Sequence, residues 1–137
     1  MFLLFVTGSG CTEAQPKAST QQSTALNFSF DSSPVRYASV NGVELGYREF
    51  GSGEPLLLIM GFGGTMDTWN ETFVWALAQE YRVITFDNRG IGYSSNSGEN
   101  YSLELFASDA AGLLEALKIQ ETSVFGTAMG ASIAQEL

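Results

Sequence analysis

Three times along this chain a short strand-like run gives way at once to a glycine-rich turn, and no other feature limits the fold so strongly. Leu56-Leu57-Leu58-Ile59-Met60 runs into Gly61-Phe62-Gly63-Gly64, and Arg82-Val83-Ile84-Thr85-Phe86 into Asp87-Asn88-Arg89-Gly90-Ile91-Gly92. Thr122-Ser123-Val124-Phe125 then meets Gly126-Thr127-Ala128-Met129-Gly130. The unbroken apolar run at 56–60 suits a strand covered on both faces, as in parallel sheets, and 82–86 is another of the buried type. Helical spacing fills the gaps between them. Asp67 is placed to cap a helix bearing Trp69, Phe73, Ala76 and Leu77, and Ser102 one bearing Leu103, Phe106, Ala110, Leu113, Leu114 and Leu117. A last helix is predicted from about Ala131 to Leu137. Ahead of all this, Val35 to Val40 and Val43 to Phe50 flank Asn41-Gly42, a two-residue hairpin signal. The expected fold is α/β: a mostly parallel sheet with helices on both faces and an N-terminal antiparallel hairpin. Each glycine turn then lies at the carboxyl edge of the sheet, where open α/β sheets hold ligands.

Composition narrows the function. The chain of 137 residues has room for one domain, and 45% apolar content supplies a core. A net charge of −9 argues against nucleic acid and anionic lipid as partners. No run of 18 apolar residues is present to span a bilayer. A single cysteine excludes an internal disulfide, and the absence of histidine excludes a Ser-His-Asp device or a His-ligated metal within these residues. No metal or cofactor is expected.

The first 34 residues read differently. Residues 1–11 form a signal-like leader in which Phe2-Leu3-Leu4-Phe5-Val6 precedes Thr7-Gly8-Ser9-Gly10-Cys11. Small residues leading to Cys11 resemble the end of a bacterial lipoprotein signal, which implies lipidation of Cys11 and a membrane tether, although Gly8 stands where such signals carry an apolar residue. The alternative is a disordered leader with a chance cysteine. Residues 12–34, rich in Ser, Thr, Gln and Ala, read as a flexible linker. A secreted or membrane-anchored protein is expected on the first reading and a cytoplasmic one on the second.

The three turns together resemble the N-terminal half of the α/β-hydrolase family. The likeness lies in LLLIMGFGG (56–64), DNRGIGYS (87–94) and VFGTAMGASIAQEL (124–137), and it spans roughly 35–137. It implies an oxyanion hole made of the main-chain amides of Phe62 and Met129. Met60-Gly61 stands where the family usually has His-Gly. The turn Gly126-Thr127-Ala128-Met129-Gly130 fits the nucleophile elbow Gly-x-Ser-x-Gly at Gly126 and Gly130, with Ala128 at the nucleophile position. A methyl group neither attacks a carbonyl nor moves a proton. Thr127 and Ser132 are poor substitutes, one beside the apex and one about a turn along the helix. The loop at Asp87 is expected to shape the sheet edge, with Asp87 and Arg89 paired to each other or to loop amides. Gly61 to Met66 lacks the third glycine of a dinucleotide fingerprint.

The resemblance places the family's acid and histidine after the elbow, so the chain reads as truncated there and inactive as given. It implies a hydrolase of small apolar esters or lactones; the alternative is a non-catalytic protein that binds a small ligand in the same fold. The oligomeric state is not legible.

Overall fold

The computed structural model describes residues 28–137. Strands β1 (Arg36–Val40) and β2 (Val43–Phe50) form the expected hairpin, with Val40 opposite Val43. Both turn residues have positive φ, 49° at Asn41 and 77° at Gly42, the conformation that matches the twist of the flanking strands. Strands β3 (Glu54–Ile59), β4 (Tyr81–Phe86) and β5 (Ser123–Gly126) complete a sheet of order β1-β2-β4-β3-β5. Its β2–β4 contact is antiparallel, and β3 pairs in parallel with both β4 and β5. The α/β architecture is as the sequence predicts.

Alternation along β3 explains why Leu56 to Ile59 are all apolar. Leu57 and Ile59 face one side, with Leu45, Ile84, Phe86 and residues of α2 (Leu103–Ala116) and α3 (Met129–Glu136). Leu56 and Leu58 face the other, with Val83, Trp69 and Val74 of α1 (Glu71–Ala78). A strand buried on both faces has no solvent side on which a polar residue is favoured.

Three details differ from the expectation. Asn70 caps α1, its side-chain oxygen accepting from the Phe73 amide at 3.0 Å, because Asp67 lies in a 3-10 turn and is engaged by Arg48. Trp69 therefore precedes α1, and only Val74 of that helix is buried. Helix α3 starts at Met129, two residues early, since the Gly130 and Ala131 amides already bond to the carbonyls of Thr127 and Ala128. The packed body also reaches upstream of Val35: Phe30 is buried against Phe50, and Ser29 caps a 3-10 turn at Phe30–Ser32. The leader, Cys11 and most of the linker lie outside the described residues. Among those residues no helix is long and apolar enough to cross a membrane. Strand β5 forms one edge of the sheet, with Phe125 half-exposed beside Trp69 and Phe73.

Candidate active site at the carboxyl edge of the sheet

The end of β5 leads into a bend where, among the described residues, a non-glycine residue takes a positive φ at this edge. Ala128 has φ 50° and ψ −120°, a conformation that costs an L-residue of order 1–3 kcal/mol. Its surroundings impose it. The Thr127 amide donates to the Ile59 carbonyl at 3.1 Å, carrying the β3–β5 ladder one residue past the Ile59–Gly126 pair. The Gly130 amide then closes back onto the Thr127 carbonyl at 2.9 Å, so the chain enters α3 within one turn. Both glycines are required by contact. A methyl group on Gly126 would overlap the backbone of Gly130, and one on Gly130 would overlap the Ile59 carbonyl. The bend leaves Ala128 at its exposed apex.

The turn after β3 meets this bend directly. A β-carbon added to Gly61 would lie 3.1 Å from the Ala128 methyl and 3.7 Å from the Met129 nitrogen. Gly61 is buried, and the next residue, Phe62, projects with 75% of its surface exposed. The Gly64 amide bonds to the Gly61 carbonyl at 3.2 Å and closes the turn. Among the described residues, the amides of Phe62 and Met129 have no hydrogen-bond acceptor. Ser132 lies within α3, as the helical spacing predicts.

Buried hydrogen bonds and ion pairs hold the loop after β4. Asp87 accepts from the Met66 amide at 2.5 Å and the Tyr93 amide at 2.8 Å, which ties the β3 and β4 loops together. Arg89 turns away from Asp87 and pairs with Asp109 and Glu99. Ser94 and Ser95 extend the sheet beyond β4 by bonding to the backbone of Gly46 and Glu44 on β2. Asn88 donates to the Met60 carbonyl at 3.3 Å from a buried position. Arg48, Asn88 and Asp109 were not singled out as site residues from sequence. Arg48 and Asn88 left no local signal because their partners are distant in sequence, whereas Asp109, a charge inside an apolar helical stripe, did leave one. No group of three or more His, Cys, Asp or Glu among the described residues is placed to hold a metal.

Burial pushes the Asp87 carboxyl above the usual aspartate range, and nearby Asp67 adds to the rise; the Tyr93 and Met66 amides and Arg48 oppose it. The folded state therefore holds this proton to a higher pH than the unfolded chain does. Asp87 contributes stability that is full below the ordinary aspartate pKa of about 3.9 and is lost as pH rises through its raised value. Carboxyl-carbon NMR should place its midpoint above the ordinary value. A midpoint below it would mean that the two amides outweigh burial.

A family model described as the alpha/beta hydrolase fold matches residues 54–137. A Mycobacterium tuberculosis protein provisionally named a non-heme bromoperoxidase, BpoC, is 46% identical over 96 residues, covering 69% of this chain and 36% of that protein. Among solved structures, the enol-lactonase of Burkholderia xenovorans LB400 aligns with TM-score 0.68 and 33% identity over 72% of this chain and 39% of its own. The epoxide hydrolase CorEH aligns with TM-score 0.72 and 30% identity, over 76% and 36% respectively. The chain spans about a third of the length of the curated relatives it matches. With a strand–glycine–helix bend at Ala128, a glycine turn packed against it and a family match over more than half of its length, the chain belongs to the α/β-hydrolase family.

Proposed function

We propose that this chain carries the front half of a site for hydrolysing small apolar esters or lactones, with Ala128 at the nucleophile position and the amides of Phe62 and Met129 as oxyanion donors. The observation that carries this reading is the strained bend at Ala128, with the two acceptor-free amides beside it. Two main-chain donors converging on one point would stabilise the negative charge that develops on a carbonyl oxygen under attack. The names of the neighbours, a lactonase and an epoxide hydrolase among them, support small neutral substrates. Exposed Phe62 would offer such a substrate an apolar contact.

Alanine supplies no attacking oxygen, and the 137 residues contain no histidine to act as base. The chain as given would not turn over an ester by the family's route. The test is Ala128→Ser in the whole protein, assayed on short-chain p-nitrophenyl esters. Hydrolysis is expected to rise by about 10²-fold or more over the alanine form. A folded serine variant with no gain would overturn the catalytic reading. It would favour the second one, a protein that captures a small ligand at the same two amides without turnover. For Cys11, the proposal is lipidation and a membrane tether; palmitate labelling abolished by Cys11→Ser is the measurement that decides it.

A further inference from the structure

Arg48 is one of only six basic residues in the chain, and its side chain is almost wholly buried on β2. Its Nε lies 3.1 Å from Asp67 Oδ1, and its NH1 donates to the carbonyl oxygens of Phe30, at 3.0 Å, and of Ser33. The guanidinium carbon sits 5.9 Å from the centre of the Tyr93 ring. These partners come from three separate places: Asp67 from the turn after β3, Tyr93 from the loop after β4, and Phe30 and Ser33 from the segment ahead of β1. A buried guanidinium is tolerated only when its donors find acceptors, so each segment depends on the others being in place.

The upstream segment is itself anchored. The Phe30 amide donates to Glu71 Oε1 at 3.1 Å, and the rings of Phe28, Phe30 and Phe50 pack with centroids 5.4–6.2 Å apart. It lies entirely ahead of residues 54–137, which carry the family match. Nothing in the three glycine motifs requires it.

We propose that Arg48 is a positioning residue through which the strap at residues 28–33 holds the two loops that border the candidate site. A rigid planar fork suits this task, because a lysine ammonium on a flexible stem cannot meet Asp67, two carbonyls and an aromatic face at once. The strap is thus part of the site's support. The proposal stands whether or not the site hydrolyses esters, since its test reads backbone order and not turnover.

The experiment is amide hydrogen exchange by NMR on the full chain and on Arg48→Met, Arg48→Lys, Asp67→Asn and Phe30→Ser. The reporters are Ser33 in the strap, Thr68 beside Asp67, and Ser94 in the β4 loop, each hydrogen-bonded within its own turn. Leu57 and Ile84 report the central ladder. Loss of the fork should speed exchange at the three reporters by about tenfold or more, with Leu57 and Ile84 little changed. Arg48→Lys should resemble Arg48→Met. Phe30→Ser, which leaves Arg48 intact, should loosen Thr68 and Ser94 as well as Ser33. If Arg48→Met does not fold, Asp67→Asn and Phe30→Ser carry the test. Uniform loosening, unchanged reporters, or a Phe30→Ser effect confined to the strap would overturn the proposal.

Discussion

Replacing Asp109 with alanine is expected to cost about 3–5 kcal/mol of folding stability, because it leaves a buried charge without its partner. Arg89 and Asp109 are both fully buried, and they meet as a fork: Nε to Oδ2 at 2.6 Å and NH2 to Oδ1 at 2.7 Å. Asp109 also accepts from Asn41 Nδ2 at 3.0 Å, so α2, the hairpin turn and the β4 loop converge on one carboxylate. Its removal leaves a guanidinium in the interior with only Ser97 and Glu99 as side-chain partners, and Glu99 is 59% exposed. Glu99→Gln should cost under about 1 kcal/mol, because a solvent-screened partner contributes little. Urea midpoints for the two variants check the contrast. Equal effects would mean that the buried fork does not dominate.

Gly130→Ala is expected to cost about 3 kcal/mol, at the upper end of overpacking effects, since the added methyl meets the carbonyls of Ile59 and Met60 and not a side chain that could move. The strand, the elbow and α3 meet at this point, so relief requires α3 to lift from the sheet. Gly63→Ala makes the useful comparison: nothing lies within 4 Å of its added carbon, and only its φ of 73° opposes the change. That variant should lose about 1 kcal/mol. Denaturant unfolding that ranks the two the other way would contradict the packing assigned to the elbow.

Much of this was legible in the residues. The hairpin followed from Asn41-Gly42, and the buried strands from runs such as 56–60, because local turn chemistry and strand burial leave a local trace. The bend at Ala128 was legible through the family resemblance, in which Gly126 and Gly130 keep the motif's spacing between a strand and a helix; both glycines sit where an added methyl would clash. The start of α1 was not. Asp67 is as good a capping residue as Asn70, and the choice was made by Arg48, 19 positions away. Of the two pairings expected for the β4 loop, Asp87 took the loop amides of Tyr93 and Met66, whereas Arg89 answered to Asp109, 20 positions away on α2. The upstream strap escaped notice because Phe28 and Phe30 stand in a Ser-rich stretch whose composition reads as linker, while their burial depends on Phe50. Side chains that answer to distant partners carry no periodic signal.

Residue 128 stands at a strained bend ahead of α3 and not within a regular helix. The stability of Ala128→Gly relative to the parent chain, by urea unfolding, tests this through its sign. Glycine adopts positive φ freely, so relief of the bend should stabilise the chain by about 1 kcal/mol. Within a regular helix the same change would destabilise it by about 1 kcal/mol, and that result would contradict the placement of Ala128.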